Sequence, residues 1–282
     1  RLDGSDGNDL LNGDGGADRL VGGAGNDTVT YMTSLAAVQV NLGTGIGHGG
    51  RAEGDTLSGI ENLIGSVLGD TLIGDNNANR LDGGAGNDLL NGDGGADQLV
   101  GGAGNDTVTY ATPLAAVQVN LATGIGHGGR AEGDTLSGIE NLIGTALSDT
   151  LVGNTAANRL DGGLGNDRLT GGSGADTFAF TTAPSASNVD TITDMTVGSD
   201  LISLASSIYS ALQAGPTPGS LAASSFRYST QASTSGGLGE IIYNATTGSL
   251  SYDADGSGAG AARQFAQVSS SLALSASSFR LA

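Results

Sequence analysis

The chain has 282 residues, of which 51 are Gly and only 4% are aromatic, with no Trp and no Cys. Acidic residues outnumber basic ones 29 to 10, a formal net charge of −19, which excludes nucleic acid as a natural partner because binding it needs a basic face. Disulfides and thiol chemistry are excluded, and no apolar run approaches the ~18 residues of a membrane-spanning helix.

A chain this poor in large side chains cannot build a deep conventional core, and each Gly loses more backbone freedom on folding than any other residue. Something besides apolar burial must offset that cost. The acidic surplus fits either a solvated surface or bound cations.

Two nested periods run through the sequence. The longer is 79 residues: GGAGNDTVTY stands at 22–31 and 101–110, and TGIGHGGRAEGDTLSGIENLIG at 44–65 and 123–144. The opening RLDGSDGND matches RLDGGAGND at 80–88 and RLDGGLGND at 159–167, so the chain is expected to begin inside a repeat of a longer protein.

The shorter period is nine. Units at 4–30, 65–109 and 144–179 read mostly G-G-x-G-x-D-x-U-x, where U is a large apolar residue such as Leu11, Leu20, Val29, Leu72, Leu81, Leu90, Leu99, Val108, Leu151, Leu160, Leu169 or Phe178. Glycines supply the unusual φ values of a tight turn, and the alternation around U predicts a short strand. Residues 31–60 and 110–139 leave this frame. In them VQVNL at 38–42 and 117–121 reads as a strand, followed by a Gly-rich loop, GTGIGHGGRAEGD in the first copy. His48 and His127 in these loops have no nucleophile or second base beside them and read as exposed loop residues. Asp55 and Asp134 are candidates for an additional ion.

After Phe180 the composition shifts to Ser, Ala and Thr. NVDTITDMTVGSDLISL offers Asp190, Asp194 and Asp200 for a terminal ion, or as turn formers. EIIYNATTGSLSYDADGSG reads as a β-hairpin. Asp253, Asp255 and Ser257 open like an EF-hand loop, but Gln264 stands where the bidentate Glu belongs, so the segment reads as a turn.

The nonapeptides resemble the RTX calcium-binding repeats of bacterial proteins exported by type I secretion. The resemblance implies an all-β fold, a parallel β-roll in which two nonapeptides make one 18-residue coil and calcium ions lie in rows along both turn edges. It implies a β-roll over 1–180 and a cap with a secretion-signal region over 181–282. Residues 18 apart then stack. One edge is expected to carry Asp9, Asp27, Asp70, Asp88, Asp106, Asp149 and Asp167, and the other Asp18, Glu61, Asn79, Asp97, Glu140, Asn158 and Asp176. For the Asp88/Asp106 pair, the carbonyls of Gly84, Gly86, Gly101 and Ala103 complete the implied shell.

The chemistry agrees. Ca²⁺ takes six to eight oxygens, which turn carbonyls and carboxylates supply, whereas no thiol or paired His set suits zinc or copper. Carboxylates stacked ~4.8 Å apart repel by about 3–4 kcal/mol at an effective dielectric of ~20. A cation turns that repulsion into coordination, so binding free energy becomes folding free energy.

The expected function is a calcium-dependent folding and secretion module, exported unfolded through the type I machinery and folding outside the cell around several Ca²⁺ ions. Two other readings stand beside it: a surface-layer, adhesin or filament element that self-associates, and the non-catalytic part of a secreted enzyme or toxin. HExxH, GxSxG and Cys are absent, so no catalysis is expected of this chain.

Overall fold

The apolar residue of each nonapeptide is the centre of a strand whose two neighbours face outward. In Thr107–Thr109, Val108 is fully buried between two half-buried threonines. Leu20, Val29, Leu63, Leu72, Leu81, Leu90 and Leu99 are buried in the same way. One such side chain per strand contributes roughly 1.5–3 kcal/mol, so each sheet gives the core a single file of aliphatic residues.

A computed structural model describes residues 1–112, 114–231, 237–256 and 262–282. It is all-β and divides into two compact units, Arg1–Ile143 and Gly144–Ala282.

In the first unit, successive repeat strands alternate between two sheets, each strand lying parallel to the one a coil later. Thr71–Ile73, Leu89–Asn91 and Thr107–Thr109 follow one another in the first sheet. Asn62–Ile64, Arg80–Ala85 and Gln98–Ala103 do so in the second. The register stacks like on like, with Leu72 on Leu90 and Leu81 on Leu99. This is the parallel β-roll that the nine-residue period implies.

The inserts are more ordered than the sequence suggests. The segment read as a Gly-rich loop contains a strand, Ile46–His48, antiparallel to Gln39–Asn41. Together with Thr56–Ser58, these keep three consecutive strands in one sheet instead of alternating. Each 79-residue copy therefore crosses between sheets an odd number of times. Arg19–Ala24 lies in the first sheet and its copy Gln98–Ala103 in the second. The hairpin of the second copy, Gln118–Asn120 with Ile125–His127, likewise joins the second sheet.

In the second unit, Asp190–Ile192 and Leu201–Leu204 from the tail add parallel strands to repeat strands, with Ile192 on Leu169 and Ile202 on Phe178. The expected hairpin forms from Glu240–Asn244 and Ser249–Asp253. Here the core becomes conventional: Phe180 meets Phe265 edge-on at 5.0 Å, and Tyr209 packs on Phe265 and Tyr252.

Candidate metal centre

The last residue of each six-residue turn is the Asp that precedes a strand. In the turn 83–88, Gly84 and Gly86 hold φ of 96° and 116°. The carboxylate of Asp88 folds back over Gly83, where an added Cβ would lie 2.2 Å from Oδ2. Only glycine leaves that space. The next coil is equally close: a Cβ on Gly102 would stand 2.1 Å from the carbonyl oxygen of Gly84.

These turns stack into two rows in the first unit. Oδ1 of each carboxylate accepts the main-chain N–H of the row member one coil earlier: Asp70 to Asp88 at 2.7 Å, Asp88 to Asp106 at 2.8 Å, Asp9 to Asp27 at 2.8 Å and Asn79 to Asp97 at 2.8 Å. Oδ2 of Asp9, Asp27, Asp88, Asp97 and Asp106 is buried without a partner among the described residues. A buried carboxylate oxygen with no donor costs several kcal/mol. Natural folds resolve that cost with a cation or a proton.

The membership of the rows differs from the expected one. Asp27 donates not to Asp70 but to Oε2 of Glu61 at 2.8 Å, and Asp106 donates to Oε2 of Glu140 at 2.9 Å. Asp18, which has Ala36 and not an acidic residue 18 positions on, donates to Oδ1 of Asp55 at 2.9 Å, and Asp97 to Oδ1 of Asp134 at 2.9 Å. One row is thus Asp9, Asp27, Glu61, Asn79, Asp97 and Asp134, with Nδ2 of Asn79 donating to the carbonyl of Glu61 at 3.1 Å. The other contains Asp18 with Asp55, then Asp70, Asp88, Asp106 and Glu140. The physical reason is the hairpin insert, which holds three strands in one sheet and so exchanges the edges reached by later turns.

In the second unit the same pattern joins Asp149 to Asp167 at 2.8 Å and Asn158 to Asp176 at 2.9 Å. Asp190 and Asp200 extend it, accepting the N–H of Asp167 and Asp176 at 3.1 Å each. Their spacings of 23 and 24 residues hide them from an 18-residue ruler. The visible signal is local: Asp190-Thr-Ile192 and Asp200-Leu-Ile202 repeat the Asp-x-U ending of the nonapeptides. Asp194 is different, since its two oxygens accept the N–H groups of Gly171 and Gly172 at 2.9 and 2.8 Å.

Not every turn leaves an oxygen bare. The turns 65–70, 74–79, 144–149 and 153–158 contain no positive φ among the described residues. Their second residue instead aims its N–H at the turn's own side chain. Ser66 and Thr145 donate N–H and hydroxyl to Asp70 and Asp149, while Asp75 and Asn154 donate N–H to Oδ1 of Asn79 and Asn158 at 2.7 Å. Asp55 and Asp134 are closed by another route. Their Oδ2 accepts the buried hydroxyls of Tyr31 at 3.0 Å and Tyr110 at 2.9 Å.

Burial, opposed in part by the Asp70 N–H and reinforced by Asp106 and Asp70, pushes the Asp88 carboxyl up to about 6. Asp97 is pushed up to about 7, by burial first and then by Asp134, Asp75 and Asp93. Asp167 is raised by burial first and then by Asp190 and Asp149, and Asp190 by burial first and then by Asp161 and Asp149, with hydrogen bonds from Asp167 opposing.

Calcium fits this donor set. Hard carboxylate and carbonyl oxygens converge at the turns, and no three His, Cys, Asp or Glu side chains converge among the described residues. A cation there would draw mainly on main-chain carbonyls. The Ala103 carbonyl, expected in the shell, has one lone pair taken by the Gly86 N–H at 2.8 Å and one left to offer. His48 and His127 are exposed opposite Gln39 and Gln118. The DADG segment is a turn, with Oδ1 of Asp253 accepting N–H from Asp255 and Gly256; Ser257 lies outside the described residues.

Fold and turns together define a β-roll of Gly-Asp coils. The family model of the RTX calcium-binding nonapeptide repeat (four copies) matches residues 1–29, 70–108 and 143–178. The chain therefore carries an RTX-type calcium-binding repeat region. The stretches between matches are the inserts with their flanking turns. No curated protein matches the chain.

Proposed function

We propose that this chain is a calcium-driven folding module of an extracellular protein, unfolded at low calcium and ordered at the ~10⁻⁴–10⁻³ M typical of extracellular calcium sites. The observation that carries it is the stacked Oδ2 atoms of Asp88 and Asp106, buried and unpartnered among the described residues one coil apart. Asp9, Asp27, Asp88, Asp97, Asp106 and Asp167 are its ligands, assisted by turn carbonyls including those of Gly84, Gly86 and Gly101. Export through a type I machinery before folding accords with this reading, and the module itself has no catalytic role. Residues 1–180 act as the calcium-loaded roll and 181–282 as its cap and export region.

The test is circular dichroism of the purified chain in EDTA and during calcium titration. Cooperative gain of β signal is expected, with magnesium a poor substitute because its small octahedral shell keeps its waters. Identical spectra in EDTA and calcium would refute the proposal.

A further inference from the structure

Each of the first two 79-residue copies has a rung at which the insert supplies the protein groups that meet the carboxylates. Asp18 and Asp55 form that rung in the first copy, and Asp97 and Asp134 in the second. The N–H to Oδ1 bond is the same as at Asp88 and Asp106, so the stacking is unchanged. The difference is the second oxygen. Tyr31 and Tyr110, the residues immediately after the repeat strands, are 1% and 2% exposed and donate their hydroxyls to Oδ2.

The same rung carries a protein cation. The turn 13–18 has Asp14 at its second position, and the turn 92–97 has Asp93, both at positive φ where the neighbouring turns 22–27 and 101–106 have Gly23 and Gly102. Arg51 reaches across from the insert to Oδ1 of Asp14 at 2.7 Å, and Arg130 pairs in the same way with Asp93. Each arginine stands 37 residues from its aspartate, so the insert supplies it. Tyrosine, arginine and both aspartates recur in both copies.

We propose that the calcium rows are interrupted at each insert: the Tyr31–Asp55 and Tyr110–Asp134 rungs, with Arg51 and Arg130 beside them, are closed to calcium and held by protein groups alone. This rests on calcium filling the open turns. Because successive copies exchange edges, the first interruption falls on one edge of the first unit and the second on the other. Each edge then binds ions in a block bounded by a protein-sealed seam. The inserts accordingly act as seams that fold in register without taking up an ion.

The experiment counts ions per chain by calorimetry in the intact protein, with circular dichroism confirming the fold at saturating calcium. Asp106→Asn, at an open turn, is expected to lose one ion. Asp134→Asn, at the seam, is expected to keep the wild-type count. Loss of one ion in Asp134→Asn as well overturns the inference while leaving calcium binding intact. An unchanged count in Asp106→Asn overturns the open-turn assignment and this inference with it. If Asp134→Asn does not fold, Tyr110→Phe reads the same rung. It should need at least about twofold more calcium to fold, with no fewer ions bound; a lowered count, or an unmoved midpoint, overturns the seam.

Discussion

Asp106 grips the main-chain N–H of Asp88 through Oδ1 at 2.8 Å while its Oδ2 stays buried with no donor among the described residues. One half of the carboxylate fixes the spacing of two coils, and the other half keeps charge in that gap. Register and cation demand thus come from the same side chain.

That double use ranks the turn aspartates. Asp88 both accepts the Asp70 N–H and keeps a bare oxygen, whereas Asp18 is partly exposed and has no buried bare oxygen among the described residues. Asp88→Ala is expected to raise the calcium midpoint of folding at least about tenfold, some 1.4 kcal/mol. Asp18→Ala should raise it less than about threefold. Titration by circular dichroism decides, and equal midpoints would remove the special standing of the bare oxygen.

Glycine positions sort in the same way. A Cβ on Gly83 would lie 2.2 Å from Oδ2 of Asp88 and 2.7 Å from its Cγ, so Gly83→Ala must expel the carboxylate from its seat. Gly15 has nothing within 4 Å and no positive φ. Gly83→Ala should therefore weaken calcium binding as much as Asp88→Ala, while Gly15→Ala stays within about 0.5 kcal/mol of the parent. Thermal melts at fixed calcium compare them.

Much of this was legible before any coordinates. Val108 and Leu81 announce their strands by period, and Asp88 with Asp106 announce a stacked pair by spacing. Less visible was the fate of Asp27, because the path through 31–60 is set by a hairpin that obeys no nine-residue rule. The difference between Asp88 and Asp70 was also hidden, although Ser66 marks it. At the second turn position Ser66, Asp75, Thr145 and Asn154 avoid positive φ and turn their N–H inward onto the turn's own side chain, whereas Ser5 takes φ of 72°. Asp14 and Asp93 take positive φ nonetheless, as Asp tolerates better than most residues, and there an arginine answers the extra charge.

Acid should partly replace calcium. The cation-free fold holds Asp88 near 6 and Asp97 near 7, above the ~3.9 of an unfolded Asp. The folded chain thus binds more protons than the unfolded one between these values. The contribution of these two carboxyls to stability is fully present below about pH 4 and is lost as pH rises through about 6 to 7. In EDTA the β signal should accordingly be greater at pH 4.5 than at pH 7.5, and calcium uptake at pH 6 should release protons. A chelated chain that loses β signal on mild acidification would contradict the buried carboxylates.

Asn79 tests whether an amide can do at one rung what a cation is proposed to do at the open turns. Its Oδ1 accepts the Asp75 N–H at 2.7 Å, and its Nδ2 donates to the carbonyl of Glu61 at 3.1 Å. The amide thereby bridges two coils without any ion. Asn79→Asp exchanges that donor for a second oxygen, which then faces the Glu61 carbonyl with nothing between them. In EDTA the variant should be less ordered than the parent at neutral pH, because a favourable bond becomes a repulsion. In calcium the new oxygen pair, with Glu61 on the same row, offers a place for one more ion. Calorimetry should show the count raised by one at saturation. An unchanged count with unchanged stability in EDTA would mean that the Nδ2 bond carries no weight and that Asn79 is only a turn residue.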